Sequence, residues 1–264
     1  MNGGVIRRLL WEFRVRLPMI ALLVSLWGFA LVALFSTADD QTRSAGLDGN
    51  IAIAFRLAGL NPLTAWTSLG QVHPILLVAA FLFVIGLGVR AVAGELESGG
   101  LDLVLARPVS RGRYLAAHVA VLVPGTALLS FGYASGAVLA DRLFDPPGGP
   151  LDISRMLLAA GQAWLLFVAI GALAMLVSAL TTERSRALTL TVAIVLAMYV
   201  GNFLFALWAP LNVLTRGTLF HYFNPGPTIQ FGDVAWADIG VLVGSAVLTL
   251  AAAFAAFARR ALAR

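Results

Sequence analysis

Residues 156–180 read MLLAAGQAWLLFVAIGALAMLVSAL, 25 residues without a single charge. A helix rises about 1.5 Å per residue, so this stretch is long enough to cross the ~30 Å hydrocarbon core of a bilayer. Working outward, five more apolar runs of similar length stand between charges or turn residues: Leu17–Ala38, Pro74–Ala93, Leu115–Ala140, Ala187–Pro210 and Asp238–Ala258. The expected fold is an all-α membrane protein with six transmembrane helices, a single transmembrane domain over residues 1–264. The whole composition agrees: 60% of the 264 residues are apolar, 12% are charged, and the mean hydropathy is +0.90.

All 18 basic residues are arginines, and they fix the sidedness. With both termini cytoplasmic, Arg7, Arg8, Arg14, Arg16, Arg90, Arg107, Arg111, Arg113, Arg184, Arg186, Arg259, Arg260 and Arg264 fall inside. Arg43, Arg56, Arg142, Arg155 and Arg216 fall outside, a split of 13 to 5. The positive-inside rule therefore predicts a multi-pass protein of the inner (cytoplasmic) cell membrane with both ends in the cytoplasm. Residues 1–16 lead into the first span. There Ile6, Leu10, Phe13 and Leu17 share one helical face, while Arg7, Arg8, Glu12, Arg14 and Arg16 cover the rest. This pattern predicts an interfacial amphipathic helix, either an anchor on anionic membrane lipid or a partner surface. A cleaved signal peptide is the competing reading, since Ser36-Thr37-Ala38 is made of small residues, but the apolar run is longer than a signal core.

The outer connections are residues 39–73, 141–155 and 211–237. Ile51–Trp66 reads as a short element on or dipping into the outer leaflet. Gly132 with Gly136, and Gly240 with Gly244, place small residues four apart and predict close helix packing. Arg90, nearest of all charges to a span centre, is expected to snorkel toward the inner surface.

Much chemistry is excluded. Without cysteine there are no disulfides and no thiolate chemistry, and without lysine there is no phosphate-binding loop and no Schiff base. His73, His118 and His221 lack the spacing of a helical metal site, so no metal and no cofactor is expected on this chain. The arginines sit at membrane edges, which removes the case for nucleic acid. No ionisable residue occupies a span centre, which disfavours a proton- or sodium-coupled carrier. The chain reads as no enzyme by itself, and work must draw its energy from elsewhere.

The one dense feature inside is the loop over residues 94–114, GELESGGLDLVLARPVSRGRY. Gly99-Gly100 ends a helix, Leu101–Ala106 can form a short second one, Pro108 stops it, and Ser110 is suited to cap the third span. A helical knuckle results, with leucines on one side, acids in front and arginines behind. Its alternative reading is a solvated charged loop with a leucine patch on the membrane.

This stretch resembles the permease subunits of bacterial ABC-2-type ATP-binding-cassette exporters. They carry Glu-x-x-x-Gly-x-Leu-[Asp/Glu]-Leu-x-Leu-[Ala/Ser]-x-Pro-[Val/Ile]-Ser-Arg after their second span. Glu95, Gly99, Leu101, Asp102, Leu103, Leu105, Ala106, Pro108, Val109, Ser110 and Arg111 match it. Gly100 departs from the usual threonine, which predicts a looser knuckle. His221-Tyr222-Phe223-Asn224-Pro225 resembles the family's aromatic outer turn, and Phe257-Ala258-Arg259-Arg260 its closing Phe-x-Arg-Arg. The resemblance implies the transmembrane fold of this exporter type (type V), a coupling helix at the loop, a separate ATPase subunit holding ATP and magnesium, and a second permease copy or paralogue. It makes Glu95, Glu97, Leu101, Asp102, Leu103, Arg107, Arg111 and Arg113 the expected ATPase contacts, with residues 181–186 as a minor one. It also makes Tyr199, Asn202 and Phe203 in the fifth span the expected path residues, against a plain packing role. An uncharged path suits a hydrophobic or amphiphilic substrate. Two other classes stay open: a polytopic enzyme acting on lipid-linked substrates, and a structural membrane subunit that transports nothing.

Overall fold

The computed structural model describes residues 3–44, 58–100, 110–146 and 149–260. Each apolar run is a helix, and six helices are long and apolar enough to cross a membrane. Helix α1 (Gly3–Phe13) turns at Arg14 into α2 (Arg16–Ser44). Two helices then nearly fuse. In α3 (Pro62–Val72), Asn61 Oδ1 accepts from the Leu63 and Thr64 amides; in α4 (Pro74–Val89), His73 Nδ1 accepts from Ile75. Each begins with proline, whose missing N–H is free of cost at that position. Helix α5 (Arg111–Phe144) is capped by Ser110 and ends at Asp145, which takes a left-handed conformation at φ 42°. Helices α6 (Ile153–Leu180) and α7 (Arg184–Leu207) follow, then two 3-10 segments, Ala209–Gly217 and Leu219–Tyr222. Helices α8 (Pro225–Phe231) and α9 (Trp236–Arg259) complete the bundle.

Helix α6, the charge-free stretch first read as a span, is the hub. It packs against α4, α5 and α9, and 72% of its most apolar window is buried, against 17% for α7 and 22% for α9. Residues 94–100 and 110–111, which flank the loop after α4, and residues 180–184 lie at the end of the bundle that carries both described termini. This is shown by the contacts Arg8–Glu95 and Arg111–Arg260.

The element expected over Ile51–Trp66 is described only in part. Residues 51–57 of the expected Ile51–Trp66 element lie outside the described residues, and the helix there starts only at Pro62. It is stitched into the bundle rather than laid on it. The Trp66 indole donates to the Leu31 carbonyl at 3.2 Å, Trp27 donates to Gly70 at 3.1 Å, and the Tyr133 hydroxyl donates to Thr67 at 2.6 Å. Trp27 lies midway along the apolar part of α2, so α3 is sunk well below the bundle's edge.

The two glycine pairs behave differently. At the crossing of α2 and α5, a Cβ on Gly136 would overlap the Ser25 carbonyl and one on Gly28 would overlap the Tyr133 carbonyl. Gly132 sits where a Cβ would be 3.5 Å from the Ala21 carbonyl. These backbones touch because the side chains are absent. Gly240 and Gly244 have nothing within 4 Å of their Cβ positions, so the expected close packing at that pair is not made among the described residues. Gly136→Val should therefore force α2 and α5 apart and cost about 1–3 kcal/mol, read as a lower thermal unfolding midpoint in detergent. Gly244→Val should leave that midpoint unchanged.

Candidate functional site at the loop between spans two and three

Helix α4 does not end regularly. Over Arg90–Gly94 it widens into a π-helical turn before a last turn at Glu95–Glu97. The cause is a side chain from α6. The Ser178 hydroxyl oxygen accepts from the amides of Val92 (3.1 Å) and Ala93 (2.8 Å), and donates to the Val89 carbonyl (2.6 Å). A hydroxyl inserted into the helical ladder opens it by one residue and satisfies the freed groups. Ala91, Val92 and Ala93 are small enough to pack flat there, each 0% exposed. One turn earlier, a Cβ on Gly88 would lie 2.5 Å from Ala174 Cβ and 3.0 Å from the Gly171 carbonyl. The two helices meet most closely where one repairs the other.

Just beyond the widened turn sits a charge cluster. Glu95 is 3% exposed, and its Oε1 accepts from Arg8 Nη2 (3.1 Å) and Arg90 Nε (3.3 Å). Arg90 also pairs through Nη1 with Glu12 of α1. Two arginines and two glutamates thus balance to zero charge, which a partly dry site requires. Arg90 is half-buried and held by two carboxylates, rather than stretched toward water as expected. The departure at Gly100 also finds a reason: a Cβ there would lie 2.5 Å from Glu95 Oε2, so this chain leaves room for an inward-turned carboxylate.

The other ends of the loop are tied to different helices. Glu97 Oε2 accepts from the Arg184 amide at 2.6 Å and caps α7, whose own cap residue Glu183 makes no side-chain bond. A carboxylate suits that position because the first amides of a helix are unpaired and its dipole is positive there. Arg111 donates through Nη1 to the carbonyls of Phe257 (3.2 Å), Ala258 (3.1 Å) and Arg260 (2.5 Å) and closes α9. Arg260 in turn donates to Ala179 (2.9 Å) and Thr181 (2.7 Å) and closes α6. Desolvation lowers the Arg260 pKa from the ordinary arginine value. Phe257, 1% exposed, packs under Arg111 and beside Tyr114. The closing Phe-x-Arg-Arg thus supplies one helix cap, Arg260 on α6, and its carbonyls receive another, Arg111.

Of the eight residues expected at the loop, Glu95, Glu97 and Arg111 are brought to one end of the bundle and bound to other helices, and Arg113 is exposed. Leu101, Asp102, Leu103 and Arg107, with the short helix expected over Leu101–Ala106, lie outside the described residues. The three residues of the fifth span do not form one surface. Tyr199 packs edge-on to Phe220 at 5.2 Å and Asn202 Oδ1 accepts from Thr218 at 3.0 Å, both turned toward the 3-10 segments that follow α7. Phe203 is 64% exposed. Sequence reasoning missed Ser178, the pairing of Arg8 with Glu95 and that of Glu12 with Arg90. The only signal for Ser178 was a hydroxyl near the inner end of an otherwise apolar run.

Across nearly its whole length, residues 12–262, the chain matches the model of the family described as ABC-2 family transporter protein. The chain belongs to that family. No curated protein matches it. An ABC-2 family chain is a membrane component of a transporter. Ser178→Ala would strand two buried amides and should cost this ABC-2 chain about 1–3 kcal/mol, seen as a drop in detergent-denaturation midpoint. Ser245→Ala, which loses only a local bond within α9, should change it little.

Proposed function

We propose that this ABC-2 chain is the permease subunit of an ATP-driven exporter. Its power comes from a separate nucleotide-binding subunit docked on the loop between spans two and three. The observation that carries this reading is the convergence of α1, α4, α5, α6, α7 and α9 on the flanks of that loop through Glu95, Glu97, Arg111 and Arg260. A displacement applied to the loop reaches all six. The absence of lysine supports an external motor, since the usual phosphate loop needs one.

In this reading both termini and the loop face the cytoplasm, as the 13-to-5 arginine split favours. Leu101, Asp102, Leu103, Arg107 and Arg113 meet the ATPase, while Glu95, Glu97 and Arg111 pass its motion inward. The partner binds ATP and magnesium, and a second permease copy or paralogue completes the path. Phe203 on the exposed face of α7 belongs to that path, and Tyr199 and Asn202 brace it from behind. The substrate is hydrophobic or amphiphilic, matching an apolar α7 without charge between Arg186 and Trp208.

Co-expression with its ATPase should give a complex that co-purifies and shows vanadate-sensitive transport. Leu101→Asp with Leu103→Asp should keep membrane yield but weaken assembly at least about 30-fold, the effect of losing a buried contact worth 2 kcal/mol. Full transport by the isolated chain without nucleotide would overturn the reading.

A further inference from the structure

Helix α1 presents three faces with three different uses. Leu9 and Phe13, 3% and 7% exposed, enter the core, where Phe13 meets Phe83 edge-on at 5.5 Å. Arg8 and Glu12 serve the charge cluster. The third face carries Arg7, Leu10 and Trp11, with Arg14 in the turn just after it, and all four are exposed. Arg14 lies in the turn that follows α1 and lines the same groove as Arg7. With Ile6 these residues line an open groove of about 440 Å³. Leu10 is 53% exposed and Trp11 67%.

We propose that this groove binds the headgroup of an anionic phospholipid, held by the guanidinium groups of Arg7 and Arg14 with its glycerol and first acyl carbons against Leu10 and Trp11. Four observations converge on that occupant. The groove opens beside Arg16, where α2 begins its crossing, so it lies at the membrane surface. Its charge is positive only, because the sole acid of residues 3–16, Glu12, is turned to Arg90. Among the described residues, neither Arg7 nor Arg14 has an acceptor partner. The Arg14 guanidinium stacks on the Trp11 ring, 3.4 Å from its centroid, which occupies its flat face and leaves its edge donors free for phosphate oxygens. A tryptophan with one apolar and one polar edge suits the same depth.

The site needs only the position of α1 at the membrane, so its failure would leave the exporter reading untouched, and the converse holds as well. The test is native mass spectrometry of the full chain in zwitterionic detergent with phosphatidylglycerol or phosphatidylcholine of matched chains. The wild type should prefer phosphatidylglycerol. Arg7→Gln with Arg14→Gln should weaken that lipid about 25-fold, taking roughly fivefold per arginine near an anionic surface, and leave phosphatidylcholine unchanged. Arg142→Gln with Arg216→Gln, two exposed arginines at the opposite end, should change neither. Equal losses in both double variants would mean diffuse charge and overturn the site. So would unchanged binding in the first variant, or competition by free inorganic phosphate. If the first variant kept its lipid preference but lost the co-purifying ATPase, the face would be a protein contact and the proposal would fall.

Discussion

In hydrocarbon a peptide group has no water to bond with, so every amide and carbonyl must find its partner within the protein. That constraint makes the chain helical through its apolar runs and governs how it may depart from regular helix. The break at His73-Pro74 is closed by the His73 ring, and the widening at Arg90–Gly94 is closed by Ser178. The sunken α3 is held by indole and phenol donors. At these places a side chain, from the break itself or from a neighbouring helix, completes the irregular backbone.

The end that carries the described termini shows how charge is handled where lipid gives way to water. Arg90 and Glu95 sit deep enough to need compensation and obtain it from α1, which gives the amphipathic helix a second task besides lying on a surface. Its polar residues divide accordingly. Those facing inward are paired, and those facing outward are not. The arginines at the ends of α5 and α9 bond to carbonyls rather than to carboxylates, which exploits the negative ends of helices α6 and α9.

Much of this was legible in the sequence, and for definite reasons. A span needs about 20 apolar residues, and a run as plain as residues 156–180 has no other use. Gly132 and Gly136 were readable because four-residue spacing is local. The same logic failed at Gly240 and Gly244, because spacing reports a flat helix face and not what stands opposite it. Ser178 was invisible because one hydroxyl in an apolar helix usually bonds back to its own turn; only the approach of α4 reveals otherwise. The link between Arg8 and Glu95 crosses 87 positions and leaves no periodic trace. Glu95, the first residue of the matched motif, is turned inward, whereas Arg113, two residues past its end, is exposed.

Six of the side chains that bond across this bundle share a further property. Trp27, Trp66, Tyr133, Trp164, Arg111 and Arg260 all donate to main-chain oxygens of another helix. Every residue type supplies such an oxygen, so the acceptor positions can drift through evolution without breaking the bond, while the donors cannot. Homologues should therefore keep scattered single aromatics and arginines, with no co-varying mate to betray what each one holds.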